Sequence, residues 1–374
     1  NAQRYYVTPL GSGNGSGSSW ANALSSSNLP LTLVTAAAGD EFWIASGTYK
    51  PTTGTDRTKS FIIPGGVKVY GGFAGTENQL NQRNYRANPT IFSGNIGSQS
   101  DSTDNSRSVI LIESSSTNIL LDGLIVTGGY GDSVLTQTTP FPMTTNKSWG
   151  GGIYIKPNCS VKINNCIISN NFCNLVGGGI GVEYSSSLYI TNTFCINNSA
   201  LSGGGGFYLG GTDTVANCVF YNNYGAGTGG AIYENQGKLF VINSTFYANK
   251  LIAGTYGSAI SANNQIATAI NCIFDSNTGA GAFGGYYSIN NTNIGSNLYT
   301  SPINPQFINT ANLLGNDGIW GTSDDGLQLK ASSPAIDAGT STGAPTTDIT
   351  GINRPQGNAV DIGAYEYIPC LPTS

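Results

Sequence analysis

The chain has 374 residues, of which 52 are glycine, none is histidine and only 9% are charged, and its net charge is −5. Without histidine there is no imidazole general base, no Ser-His-Asp triad and no histidine-ligated zinc. The 15 lysines and arginines are too few for phosphate-neutralising patches, which argues against a nucleic-acid partner. No apolar run is long enough to span a membrane.

The first part of the chain predicts a capping element followed by the first strands. Ser18–Leu24 has the pattern of a short capped helix, and Glu41–Tyr49 alternates as a strand does. We assign residues 1–50 to this N-terminal cap and residues 51–149 to early coils interrupted by long loops. No signal peptide is visible, so we expect either a mature exported chain or a cytosolic one, and the composition favours the exported chain.

Residues 150–281 repeat themselves. A glycine-rich triplet recurs in every unit, and two asparagine landmarks follow it in constant register. The first landmark recurs at Asn165, Asn192, Asn217, Asn243 and Asn271, and the second at Asn171, Asn198, Asn223, Asn249 and Asn277. Spacings of 27, 25, 26 and 28 residues separate members of the first series. Such a period indicates a solenoid in which each repeat forms one structural unit.

The pattern inside one repeat predicts the fold. Ile153–Ile155, Val161–Ile163 and Cys166–Ile168 each alternate with the two-residue period of a strand, and no stretch has helical periodicity. Three short strands per repeat describe one coil of a parallel β-helix. We therefore predict an all-β, single-stranded right-handed parallel β-helix with about 26 residues per coil. A short helical cap would close its start, and residues 282–374 would supply the final coils and an irregular C-terminal cap.

The repeats also predict which side chains face the interior. One inward column is small, a second is large, and the asparagines and glycines form the turns. The small column is Cys166, Thr193, Cys218, Ser244 and Cys272, and the large column is Ile168, Cys195, Phe220, Phe246 and Phe274. Cysteines two coils apart are too distant for a disulfide, so we predict buried free thiols there. The pairing of Cys159, Cys173 and Cys370 stays open.

Three blocks outside the repeats have a distinctive composition. They are Gly39–Pro51, Val69–Glu77 with the Gln-Arg-Asn run that follows, and the closing pair Ser333–Gly339 and Asp361–Tyr367. These blocks resemble those of a large family of secreted bacterial parallel β-helix proteins, the choice-of-anchor and polymorphic-outer-membrane-protein-like group. The resemblance implies an exported protein, attached to or released from the bacterial outer surface, with type IX secretion as its route. The family shares no catalytic motif, so no chemistry is implied.

Acidic residues decide whether the sequence predicts an enzyme. Glycoside hydrolysis needs two neighbouring carboxylates, and a lyase needs a base with a cation. The acids of the repeats are Glu183, Asp213, Glu234 and Asp275, which we place in different columns with no two sharing a face on adjacent coils. No pair is recognisable, so an enzyme is the less favoured prediction. A polysaccharide lyase or glycoside hydrolase with an unrecognised loop site remains the alternative.

Outward aromatic residues predict a glycan-binding face. The outward position of the first strand in each repeat places Tyr154, Tyr208 and Tyr233 in one column, where rings stack on sugars or serve only as good strand residues. A second outward column is apolar, and we expect the loop Gly131–Ser148 to cover it. That column is Ile167, Phe194, Val219, Thr245 and Ile273.

Two weaker motifs remain. Asp317, Asp324 and Asp325 lie in a glycine-rich acidic loop that predicts either a calcium site or an ordinary turn, because it lacks the spacing of an EF-hand. An Asp-Ser/Thr tripeptide pattern also predicts O-glycosylation. Its acceptors are Ser102, Ser133 and Thr214.

The sequence as a whole predicts a non-catalytic, adhesin-like surface protein. A long regular face with little charge suits contact with a polysaccharide, with another cell-surface protein or with the secretion machinery. A structural spacer without a ligand is a further alternative. No cofactor other than calcium is predicted.

Overall fold

Each repeat of the sequence folds into one coil of a solenoid built from short parallel strands. The computed structural model describes residues 2–132, 149–252, 257–263, 266–279, 283–284, 292–294, 298–299 and 303–369. Equivalent strands of successive coils pair in parallel and in register, forming four sheets along the axis. The fold is a right-handed parallel β-helix, as the repeats predict.

The four sheets are named A to D in the order in which one coil visits them. Sheet A contains Phe61–Ile62, Ile110–Ile112, Ile153–Ile155, Ile180–Val182, Phe207–Leu209, Ile232–Glu234, Ile260–Ala262 and Phe283–Gly284. Sheet B contains Arg4–Val7, Glu41–Ala45, Lys68–Phe73, Ile119–Asp122, Ser160–Asn164, Ser187–Thr191, Thr212–Ala216, Lys238–Ile242, Ile266–Ile270 and Thr292–Ile294. Sheet C contains Gly47–Tyr49, Thr90–Ser93, Leu124–Thr127, Ile167–Ser169, Phe194–Ile196, Val219–Tyr221, Thr245–Tyr247, Ile273–Asp275 and Leu298–Tyr299. Sheet D contains Tyr130–Gly131, Phe172–Cys173, Ser199–Ala200, Tyr224–Gly225 and Lys250–Leu251.

The N-terminal cap is helical, but its α-helix lies later than the sequence indicated. Ser18–Leu24 contains only a 3₁₀ turn at Trp20–Asn22, whereas the α-helix spans Leu29–Val34. Pro30 in its first turn is a helix-start signal, and Leu29 and Leu33 are buried. Other 3₁₀ turns lie at Leu80–Gln82 and Ser102–Asp104.

The two asparagine series have different structural roles in the turns. The first landmark residues have left-handed backbone, with φ of 52° at Asn165 and 49° at Asn192, which asparagine tolerates better than most residues. The second landmark residues form a buried ladder. The Nδ2 of Asn171 donates to Oδ1 of Asn198 at 3.0 Å, and Asn198 repeats this bond to Asn223 at 3.1 Å. The ladder holds the coils in register.

The interior follows the predicted columns. All members of the small and the large inward columns are buried. Phe220 and Phe246 stack with ring centroids 4.7 Å apart, and Phe246 stacks on Phe274 at 5.0 Å. The six cysteines in the described part of the chain, including Cys159 and Cys173, are buried and form no disulfide with one another, whereas Cys370 lies outside the described residues. Burial raises the pKa of the Cys166 thiol, so it stays protonated and unreactive.

An irregular segment, residues 303–369, follows the coils, and we call it the clasp. The apolar outward column of sheet C is covered by the clasp, through a cluster that includes Phe194, Val219, Leu327 and Ile362. We had expected the loop Gly131–Ser148 to cover this column, but the described part of the chain assigns that role to the clasp, and residues 133–148 lie outside it.

Hydrogen bonds fix the clasp along the side of the solenoid. Left-handed asparagines of successive coils donate to its carbonyl oxygens: Asn243 to Asp361 at 3.0 Å and Asn271 to Thr340 at 2.8 Å. Far from these coils, Arg86 donates to the carbonyl oxygen of Ile349 at 2.8 Å. The clasp thus runs beside several coils, whereas the sequence predicts final coils and an irregular C-terminal cap for residues 282–374.

Candidate functional site

The outer face of sheet B carries one mixed column of side chains. The strand register places Leu120, Lys162, Tyr189, Thr214 and Phe240 side by side on successive coils. Their neighbours along each strand are buried in the solenoid, so these side chains face outward. Tyr189 is 48% exposed and Phe240 is 37% exposed. Exposed rings thus alternate with a lysine and a threonine along the axis.

The clasp turns this face into a groove. Residues 343–347 of the clasp form one wall, and the groove has a volume of about 620 Å³. Hydrogen-bonded polar side chains line its floor: Thr191 Oγ1 donates to Asn164 Oδ1 at 2.8 Å, and Asn192 Nδ2 donates to the same oxygen at 2.9 Å. The floor is therefore held rigidly, and amide and hydroxyl groups border the exposed rings.

The charges in the groove leave one cation free. Asp122 is tied to Arg83 by an ion pair of 2.7 Å and accepts a hydrogen bond from Asn165 at 3.0 Å. Both members of this pair are mostly buried. Lys162 also lines the groove. Its ammonium group forms no ion pair or hydrogen bond with any residue that the structure describes. The groove thus presents a net positive charge to solvent.

This arrangement supports binding better than hydrolysis. Asp122 is the single carboxylate among the described residues of the groove, and Arg83 already neutralises it. A two-carboxylate mechanism has no second acid there. No group of three or more acidic or cysteine side chains suited to a metal ion occurs within the described ranges.

The predicted glycan-binding tyrosines lie on sheet A, and much of their ring surface is covered. Tyr208 is only 7% exposed and packs between Trp149 and Tyr233, with ring centroids 5.0 and 5.6 Å away. Tyr154 donates its hydroxyl to Glu183 in the next coil. Burial raises the pKa of both Tyr154 and Tyr208. Glycan binding by this column stays a prediction, and its geometry is less open than that of the groove.

The acidic loop uses its carboxylates to close its own turns. Asp324 accepts from the backbone N–H of Asn316 at 2.6 Å, and Asp317 accepts from that of Ile319 at 2.8 Å. Asp325 is buried and accepts from the Tyr365 hydroxyl at 2.6 Å, and burial raises the pKa of Asp325 to about 6. Calcium binding here stays a prediction. A rise in melting temperature during calcium titration would support it, and an unchanged melting temperature would oppose it.

The predicted glycosylation residues are scattered. Ser102 is exposed at the start of a 3₁₀ turn, Thr214 lies half-buried in the groove, and Ser133 lies outside the described residues. Modification at these positions stays a prediction.

One pair of the repeat acids lies close enough to interact electrostatically, although the two acids occupy different columns on different sheets. Asp213 of sheet B and Glu234 of sheet A lie inside the solenoid on consecutive coils and are fully buried. Asp213 accepts from the backbone N–H of Leu188 at 2.8 Å and of Gly211 at 3.2 Å, whereas neither carboxylate oxygen of Glu234 has a well-formed hydrogen bond within the described residues, and only the Gln236 backbone N–H approaches it weakly. Because both acids are sealed from solvent, they are not available to a substrate.

The pKa values of this pair follow from its surroundings. Burial raises the pKa of Asp213 to about 7, although its two backbone hydrogen bonds oppose the rise. Burial and the nearby charge of Asp213 raise the pKa of Glu234 well above its usual value. Asp213 accepts two formed backbone hydrogen bonds, whereas Glu234 has only a weak approach from the Gln236 backbone N–H, so Asp213 stabilises the charge of the singly ionised pair better than Glu234 does.

The groove is not evident from the sequence. Its signal was present, because Lys162, Tyr189 and Phe240 occupy the same outward position in the second strand of their repeats. That column is mixed in chemistry, so it does not stand out as a uniform aromatic column does. Its wall comes from residues far along the chain.

Comparison with known proteins agrees with this architecture. The sequence model described as the right handed beta helix region matches residues 142–298. The structure is similar to that of pectate lyase Pel9A, with a TM-score of 0.53 and 17% identity over 98% of this chain and 97% of that one. It is also similar to a rhamnogalacturonan lyase, with a TM-score of 0.41 and 15% identity over 88% of this chain and 97% of that one.

A search of curated proteins finds no match. In the described part of the chain, no helix has the length and apolar character needed to cross a membrane. At such low identity, the similarity to pectate lyase Pel9A concerns the fold and carries no chemistry. The sheets, the matched region and this similarity together make the chain a right-handed parallel β-helix protein.

Proposed function

We propose that this chain is an exported, non-catalytic polysaccharide-binding protein whose binding site is the groove on sheet B. The observation that carries the proposal is the outward column of exposed rings, lysine and threonine beside a polar, hydrogen-bonded floor. Aromatic faces stack on the apolar faces of sugar rings, while amides and hydroxyls bind sugar hydroxyl groups. Coils repeat at roughly 4.8 Å, which suits a polymer better than a single sugar.

The free lysine favours an acidic polymer. Lys162 lies in the groove without a partner in the described part of the chain, and Asp122, the single carboxylate among the described lining residues, is neutralised by Arg83. A uronate-bearing chain would bring a carboxylate to Lys162 and form a charge-assisted hydrogen bond. The bacterial outer surface as location, with type IX secretion, belongs to this proposal and is supported by the family-like blocks of the sequence.

Binding to polygalacturonate and to a neutral xylan, measured by isothermal titration calorimetry, tests the site. We expect Tyr189→Ala to weaken binding to both polymers about tenfold, because roughly 1–2 kcal/mol of ring stacking is lost. Lys162→Ala should weaken binding to polygalacturonate alone. Tyr184→Ala is the matched control, since Tyr184 is also 48% exposed but lies outside the groove. Equal effects of the two tyrosine variants would contradict the proposal.

A second candidate function is a polysaccharide lyase, and the unpaired amine of Lys162 is the observation that favours it. In its neutral amine form, Lys162 would take the proton from the carbon next to the uronate carboxylate, and a carbon–carbon double bond would form as the bond to the glycosidic oxygen breaks. Water would protonate the leaving oxygen. Incubation with polygalacturonate, with and without calcium, tests this candidate through the ultraviolet absorbance of the unsaturated product. For a binding protein we expect no absorbance. Product that disappears in Lys162→Ala would establish the lyase.

A further inference from the structure

A second space adjoins the groove, between sheet C and the clasp. It has a volume of about 450 Å³, within the range of small-molecule sites. Its floor consists of Ile91, Ile125 and Ile167, which neighbour each other on three successive strands of sheet C. In later coils the clasp packs directly on this apolar column. Here it stands off and leaves an apolar cavity.

Aromatic side chains form the walls of the cavity. Trp320 of the clasp lies 5.3 Å from the ring of Phe194, in a tilted arrangement. Tyr85 also lines the cavity, and a hydrogen bond from its hydroxyl to Asn165 Oδ1 at 3.1 Å fixes it. Arg86 stacks 4.9 Å above the Tyr85 ring. A planar apolar group would thus contact aromatic rings and isoleucine side chains.

One polar group in the cavity wall lacks a partner. Arg86 donates through its two terminal nitrogens to Tyr85 and to the carbonyl oxygen of Ile349, but its buried Nε–H has no hydrogen-bond partner. This Nε–H is closed to solvent beside Gly321, so the apolar floor and the aromatic walls, and not Arg86, select the bound group.

The cavity and the groove are neighbours. Asn192 lines both, and its Nδ2 donates to Asn164 Oδ1 on the floor of the groove. Asn192 lies in the turn between sheets B and C, so the cavity on sheet C lies next to the groove on sheet B. A substituent that extends past this turn from a polymer in the groove would reach the cavity.

We propose that the cavity binds an aromatic acyl group, of the benzoyl or hydroxycinnamoyl class, esterified to the polysaccharide in the groove. This inference rests on the proposed function and narrows its ligand to aryl-ester-bearing polymers. An aromatic ring matches the apolar floor and the walls of Tyr85 and Trp320. An unsubstituted sugar would place several hydroxyl groups against this lining, where few partners are free.

A pair of polymers that differ in one substituent tests the inference. Feruloylated pectin and the same pectin treated with a feruloyl esterase are titrated into the full chain by calorimetry. We expect the feruloylated polymer to bind about tenfold more tightly, because the ring leaves water for an apolar site. Ile125→Trp fills the cavity from its floor and should abolish this preference without changing the affinity for the esterase-treated polymer. Ile252→Trp, at an isoleucine that is exposed outside the cavity, is the matched control.

The outcomes separate the two proposals. Equal affinity for both pectins would overturn the cavity assignment and leave the groove as the binding site. Failure of both pectins to bind would overturn the proposed function. A preference that survives in Ile125→Trp would place the aryl group elsewhere. Because Ile125 belongs to a regular strand of sheet C, an unchanged melting temperature verifies that the variant is folded.

Discussion

Glu234→Gln is expected to make this protein more stable at alkaline pH. In the folded chain, Glu234 is fully buried, has no well-formed hydrogen bond to another described residue and lies close to the charge of Asp213. Its pKa is therefore raised above the unfolded value. Such a group stabilises the fold fully below its unfolded pKa of about 4.5, and this contribution is lost as pH rises through the folded pKa.

The measurement is the free energy of unfolding by urea at pH 5 and at pH 9. We expect the wild type to lose stability across this range, because the pKa of Asp213 is also raised, to about 7. Glu234→Gln cannot acquire the second charge, so it should exceed the wild type by about 1–3 kcal/mol at pH 9 and differ little from it at pH 5. If the difference in unfolding free energy between Glu234→Gln and the wild type does not increase from pH 5 to pH 9, the raised pKa of Glu234 is contradicted.

A surface acid provides the control for this experiment. Glu41 forms exposed ion pairs with Arg4 at 3.4 Å and Lys68 at 3.3 Å. Pairs of this kind contribute little, so Glu41→Gln should change the unfolding free energy by less than about 1 kcal/mol at either pH. The comparison separates burial of an acid from the mere loss of a negative charge.

Arg354→Met is expected to release the clasp. Arg354 donates to Glu366 at 2.8 Å and to the carbonyl oxygen of Gly363 at 3.0 Å, and the side chains of both ion-pair members are 0% exposed. Removing the cation leaves Glu366 as an uncompensated buried charge, which costs about 3–5 kcal/mol. The clasp contributes a wall to the groove, so polysaccharide binding should weaken with it.

Limited proteolysis with mass spectrometry measures this release. In Arg354→Met, early cleavage should fall within residues 303–369, while the coils remain resistant. The double variant Arg354→Met with Glu366→Gln removes the uncompensated charge and should recover part of the protection. Uniform cleavage along the chain, or no change at all, would show that the ion pair does not hold the clasp.

Much of the solenoid was predictable because every coil needs the same kinds of residue at its turns and at its inward positions. The spacing of the asparagine landmarks fixed the register, and the alternation inside one repeat identified the inward residues, such as Cys166 and Phe220. The clasp was not predictable in its position. The sequence of the clasp contains no repeat. Its carbonyl oxygens accept hydrogen bonds from Asn243 and Asn271 in more than one of its loops, and no local sequence pattern indicates such contacts.

The buried acids and the groove escaped prediction for different reasons. Asp213 belongs to the repeat with the shortest landmark spacing, 25 residues. Its carboxylate accepts a hydrogen bond from the Leu188 N–H, 25 residues earlier, and so replaces a backbone carbonyl as the acceptor. The positions of the two acids relative to the asparagine landmarks do not show that Glu234 lies near Asp213, because Glu234 is on the next coil and on the other side of a turn. The groove depends on a wall from residues 343–347, and only folding brings that wall to Lys162 and Tyr189.

The clasp also alters how the whole molecule melts and assembles. A stack of coils held only by nearest neighbours frays from its ends, one coil at a time. The bond between Arg86 and Ile349 joins residues 263 positions apart, and other clasp bonds engage Asn217, Asn243 and Asn271 on successive coils. Loss of one coil therefore disturbs several others, which makes unfolding more cooperative. Closing so long a loop is slow, so the clasp docks last, on a preformed stack.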